Sequence, residues 1–168
     1  MTMPAERTRA LRWGWEFLWE NQDATNLTES QQGQIKAILR HYPCGSEIKQ
    51  WALDDSKSDL FSVMLEPEDP ALLVNQTLPN VPDFVERGPT SPAQRTWAIN
   101  ETYLLLRRGD VSWTPSQRRE IQYVLRHFPS LDMSALSGWA ANDEACFKAD
   151  PLYKQWLAPM DAVAETVQ

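Results

Sequence analysis

The sequence predicts an all-α protein: two tandem three-helix units related by a pseudo-twofold and joined by a Pro-rich connector. Three observations predict it. The chain repeats itself, with Leu39-Arg40-His41-Tyr42-Pro43 returning as Leu125-Arg126-His127-Phe128-Pro129 and Thr28-Glu29-Ser30-Gln31 as Thr114-Pro115-Ser116-Gln117. Arg7-Thr8 likewise returns as Arg95-Thr96, and Trp51-Ala52 as Trp139-Ala140. The matches keep their order, which marks a duplicated unit of about 60 residues. Apolar residues recur at helical spacing in both copies. No stretch alternates polar and apolar residues as a half-buried strand would. These observations divide the chain into a first helical repeat (1–65), an acidic connector (66–91) and a second repeat with a C-terminal helix (92–168).

Taken in order, the first helix spans Pro4 to about Asn21, with Leu11, Trp15 and Leu18 on one apolar stripe. Its counterpart begins at Ser91-Pro92-Ala93-Gln94, where Ser91 is the cap, Pro92 suits the first helical position and Gln94 completes a capping box. Ile99, Tyr103 and Leu106 repeat the stripe. The second helix of each unit opens on Thr28 or Thr114, each with Gln three residues on. Ile35, Ile38, Leu39 and Tyr42 form its inward face in one copy; Ile121, Val124, Leu125 and Phe128 form it in the other. Pro43 and Pro129 end these helices, because the residue before a proline avoids the helical region.

The third helices are shorter. Ser46 is the expected cap of one, with Ile48, Trp51 and Ala52 inward. Asp132 or Ser134 caps the other, with Leu136, Trp139 and Ala140 inward. Asp69-Pro70 and Asp150-Pro151 each spell a further helix start, the last extending through Trp156 and Leu157. Residues 67–92 hold six of the twelve prolines, and Gln76–Thr90 has little periodicity. That stretch reads as an extended connector laid over the surface. Each unit is small for an independent core, so the two are expected to pack together.

Composition narrows the function. No apolar run approaches the roughly 20 residues needed to span a bilayer, and the N-terminus lacks a basic region followed by an apolar one. A cytoplasmic location without membrane association is therefore expected. The net charge of −7 is unevenly spread: −2 over residues 1–65, −4 over 66–91 and −1 over 92–168. Each repeat is nearly neutral, so the chain shows neither the basic footprint of a nucleic-acid binder nor a sustained acidic face. Cys44 and Cys146 occupy unmatched repeat positions, and free thiols are expected. Dinucleotide, phosphate-loop, zinc and nucleophile-elbow motifs are all absent. The expectation is no catalysis, no cofactor and no metal.

Met1-Thr2-Met3-Pro4-Ala5-Glu6-Arg7-Thr8-Arg9-Ala10-Leu11, followed by Glu16-Phe17-Leu18 and Leu39-Arg40-His41-Tyr42-Pro43, resembles a family of short proteobacterial proteins of unestablished activity. Members carry one such unit, with a Met-Thr-x-Pro-x-Glu-Arg-Thr-Arg-Ala start and an Arg-His-aromatic-Pro corner. The resemblance covers residues 1 to about 55, and 92–142 as a diverged second copy. In that copy Ala93-Gln94-Arg95-Thr96-Trp97-Ala98 replaces the starting run. The resemblance implies a bacterial cytosolic helical unit and no particular reaction. The duplication would then fuse two units into a pseudo-dimer.

Three sets of residues are candidates for a site. Both histidines of the chain, His41 and His127, sit in the repeated corner beside Arg40 and Arg126. Such a corner offers an imidazole as proton acceptor. It also offers cations to the free carbonyls at a helix end. The second set is Arg7 and Arg95, which lie near helix starts, where a cation is unfavourable. They call for a partner: a carboxylate such as Glu47 or Asp132, an anionic ligand or a protein. Lastly, Trp13, Trp15 and Trp19 crowd one helix over more than one face. Trp15 belongs to the core stripe, leaving Trp13 and Trp19 for an inter-repeat seam or partner surface. Their second-copy positions are Glu101 and Arg107, so that surface is specific to the first unit.

The leading expectation is a non-catalytic helical protein-binding module, an adaptor or an inhibitor of the antitoxin or immunity kind. Alternatives are a helix-turn-helix-like nucleic-acid-binding regulator and a small-ligand or enzymatic site at the Arg-His corners. A helix-turn-helix is disfavoured by Glu47, Asp54 and Asp55 on the first would-be reading helix.

Overall fold

The computed structural model describes residues 3–57, 65–73, 80–129 and 156–157. Among these there are five long helices, one short one and no strand. The elements are α1 (Pro4–Asn21), α2 (Glu29–Leu39), α3 (Gly45–Ser56), the short α4 (Pro70–Leu73), α5 (Pro92–Arg107) and α6 (Pro115–His127). None is long and apolar enough to cross a membrane.

Local sequence sets most helix starts. Thr28, Ser91 and Thr114 each accept a hydrogen bond from the amide three residues on. Gln31, Gln94 and Gln117 in turn accept one from the cap amide through Oε1. Asp69 accepts from the Ala71 amide at 2.9 Å and starts α4. The start of α3 departs from expectation: its cap position is Cys44, and Ser46 lies inside the helix. The Ser46 amide instead donates to the Asp83 carbonyl at 2.8 Å, so the connector supplies the acceptor that a side chain was expected to supply. The two corners also differ. α2 stops at Leu39, leaving His41 in a turn, whereas α6 runs to His127, next to the cap residue Phe128.

α1 is the central element. Ala10, Leu11, Gly14, Trp15, Phe17 and Leu18 are all buried and spread over more than one face. α2 and α3 cover part of α1, and α6 covers another part. α5 packs on α2 and α6. Two helix contacts, α1 with α6 and α2 with α5, thus join the earlier helices to the later ones. Gly14 marks where both corners reach α1. A Cβ built there would lie 2.5 Å from the Tyr42 hydroxyl and 3.1 Å from the Phe128 ring. The inward face of α5 is also wider than its expected stripe: Thr102 and Leu105 are fully buried beside Ile99. Tyr103 is only partly buried and stacks on Phe128 at 6.4 Å.

Two segments outside the long helices are fastened to them. Residues 80–91 cross the α2–α3 corner. Trp15 Nε1 donates to the Pro82 carbonyl at 3.0 Å, and Lys49 pairs with Asp83 at 3.0 Å. Arg87 donates to the Leu39 carbonyl and to Glu47. Upstream, Leu65 is fully buried and the Glu66 carbonyl accepts from the Thr8 hydroxyl at 2.7 Å. Glu68 grips Arg12 through two hydrogen bonds of 2.8 and 3.0 Å, while Arg12 also meets Glu16 at 2.9 Å. At the far end, Trp156 stacks on Trp51 with centroids 5.8 Å apart and planes 12° from parallel. The expected features at Asp132, Ser134, Leu136, Trp139, Ala140, Cys146 and Asp150-Pro151 lie outside the described residues.

Candidate functional site

A groove of about 400 Å³ opens between α1 and α6. On α1 it is lined by Trp13, Glu16, Phe17 and Glu20; on α6 by Glu120, Tyr123 and Val124. These positions fall three and four apart, so each set forms one stripe on its helix. Another part of α1 is already used against α2 and α3. This second stripe faces α6, and the groove lies between the two helices. Phe17 and Val124 are buried and form its floor. Trp13 is half-buried, with the Arg9 guanidinium 5.9 Å from its ring centroid. Tyr123 is 63% exposed.

The groove carries three carboxylates. Glu16 is buried; burial pushes its carboxyl upward from the ordinary value, against the opposing pull of Arg12. The Glu20 carboxyl is also pushed up, first by burial and then by the negative charge of Glu120. Glu20 and Glu120 therefore repel across the groove. Chemically the site is an aromatic trough with an anionic rim.

The residues singled out in the sequence do not converge on one place. Trp13 lines the groove. Trp19, on another face of α1, packs against Trp15 with centroids 5.4 Å apart and does not line it. Arg95 is buried, donates to the Trp156 carbonyl at 2.8 Å and approaches Glu47 at 3.9 Å. Its guanidinium also covers the Trp156 ring at 5.1 Å. Glu47 thus serves Arg95 and Arg87, while Arg7 feels Glu66 and Asp55, which oppose the downward push of burial on its pKa. Arg40 is exposed at the end of α2 and Arg126 is exposed on α6.

Each histidine meets a segment distant in the chain. His41 Nδ1 lies 3.0 Å from the Thr90 hydroxyl, with its ring edge-on to Trp97. His127 Nδ1 lies 3.6 Å from Glu6 Oε2. Burial lowers the pKa of His41, and the charges of Arg87 and Arg40 lower it further. Cys44 is a buried free thiol, 3.2 Å from Glu47 Oε1. Among the described residues, no group of three or more His, Cys, Asp or Glu side chains is placed to hold a metal ion.

Sequence reasoning found Trp13 and missed the rest of the groove. The signal was present, since Trp13, Glu16, Phe17 and Glu20 form a helical stripe. Which helix faced it was not, because the α1–α6 contact joins residues about a hundred positions apart. Comparison with protein-family models, with curated proteins and with solved structures finds no match to this chain.

Proposed function

We propose that this chain is a non-catalytic helical protein-binding module, acting as an adaptor or as an inhibitor of the antitoxin or immunity kind, and that the α1–α6 groove is its contact surface. The observation that carries the reading is the groove itself, with half-buried Trp13 and exposed Tyr123 over a floor of Phe17 and Val124. Aromatic side chains set in a trough between helices are the usual anchors of a protein interface. On this reading the Arg-His corners are architectural. The contacts of His41 with Thr90 and Trp97, and of His127 with Glu6, support that role.

The same reading treats the molecule as two units related by a pseudo-twofold, a fused pseudo-dimer of the short proteobacterial unit that its start and corners resemble. The reciprocal packing of α1 on α6 and α2 on α5 supports it. So does the shared bond of Thr8 and Thr96 to the carbonyls of Pro4 and Pro92. A cytoplasmic protein partner fits this picture.

The test is affinity capture from the native lysate, read by mass spectrometry. Trp13→Ala and Tyr123→Ala are expected to lose a specific protein that the unaltered chain and Trp19→Ala both retain. A partner held equally by all four proteins would place the contact surface elsewhere.

A further inference from the structure

Resting on the protein-binding reading, we propose that the α1–α6 groove receives a basic segment of a partner protein, one Lys or Arg side chain set between Glu20 and Glu120 and a neighbouring apolar side chain against Trp13, Phe17 and Tyr123. Charge complementarity is the first argument. Among the described residues neither Glu20 nor Glu120 has a cationic partner, whereas Glu16 is satisfied by Arg12. The repulsion between Glu20 and Glu120, and the upward push it gives the Glu20 carboxyl, is relieved by a cation placed between them. An acidic peptide, a phosphorylated segment or a nucleic acid would add to the repulsion.

Shape and lining are the second argument. The groove is partly open and lined from two helices, so it suits a segment of chain better than an enclosed small molecule. Its aromatic walls offer ring faces to a guanidinium or ammonium. Arg9 already lies 5.9 Å from the Trp13 ring centroid, so this ring meets a cation within the chain itself. The apolar floor then takes the stem of the basic side chain and an adjacent leucine-like residue.

The probe is a fluorescein-labelled amphipathic peptide of leucine and lysine, followed by anisotropy against the full chain at low salt. The unaltered protein binds it. Glu20→Gln/Glu120→Gln weakens binding about tenfold. Glu29→Gln/Glu86→Gln, an exposed pair that does not line the groove, leaves affinity within about twofold. The matching leucine–glutamate peptide does not bind. Equal loss in both double variants would show attraction to net charge alone and overturn the proposal, as would no binding by the unaltered chain. Lysate capture separates this inference from the reading beneath it. A partner lost with Trp13→Ala but kept by Glu20→Gln/Glu120→Gln overturns the basic segment and leaves the binding module standing. A partner indifferent to Trp13→Ala removes the groove altogether. Circular dichroism establishes that each variant is folded, and Tyr123→Ala, at an exposed ring, stands in for Trp13→Ala if that chain is not.

Discussion

At the scale of single residues, His41 couples the structure to pH. Its neutral ring sits against Thr90 and Trp97, facing Arg87 and Arg40, and its pKa is lowered by burial and by those two cations. The unfolded chain takes up a proton at about 6.5, where the folded chain still resists it. The contribution of His41 to stability is therefore complete above that value, and falls as pH drops from there to the lower folded value. Denaturant midpoints measured at about pH 7.5 and 5.5 should differ less in His41→Gln than in the unaltered protein. An unchanged difference would show that the ring is not held neutral. The residue pattern made His41 conspicuous, but its neighbours were not legible, because Thr90 and Trp97 belong to other segments. Arg12 shows the opposite failure. Glu16, four residues on, is its only partner legible locally, and the distant Glu68 completes the pair that holds it in the interior.

Among elements, α1 carries the clearest steric consequence. Tyr42 is fully buried and its hydroxyl donates to the Leu11 carbonyl at 2.7 Å, within 2.5 Å of any methyl added at Gly14. Gly→Ala in a helix interior ordinarily stabilises by up to about 1 kcal/mol. Here overpacking against a rigid ring costs about 1–3 kcal/mol and decides the sign. Gly14→Ala is expected to destabilise. Combined with Tyr42→Phe, which removes the obstructing oxygen, it should destabilise by less than the sum of the single changes. Additive losses in chemical denaturation would place the clash at Phe128, 3.1 Å away. Helix starts were the most legible part of the fold, since Thr28, Ser91 and Thr114 signal them within four residues. The start of α3 was not legible, because its acceptor is the carbonyl of Asp83.

Across the whole molecule, the earlier and later helices share their contacts. α1 lies against α6, and an amide chain links Asn21 and Asn26 to Gln117, with bonds of 2.7 and 2.8 Å. Residues 1–91 alone would expose Phe17 and the α2 surface that packs on α5. That fragment is expected to lose the single cooperative transition of the intact chain, or to regain it only by associating with itself. Thermal melts with size-exclusion chromatography distinguish the outcomes, and a cooperative monomer would refute shared folding. Apolar periodicity and helix caps made the all-helical character readable, but not the groove, which exists only where α1 meets α6. The stacked pair Trp51 and Trp156 has one further use. Two indoles so close and nearly parallel share their electronic excitation, and their sequence positions lie far apart. The protein thus carries its own optical gauge of this contact: an exciton component in the far-ultraviolet circular dichroism that is present when Trp156 rests on Trp51, is removed by Trp156→Phe, and is separable by that variant from the coupling of Trp15 with Trp19.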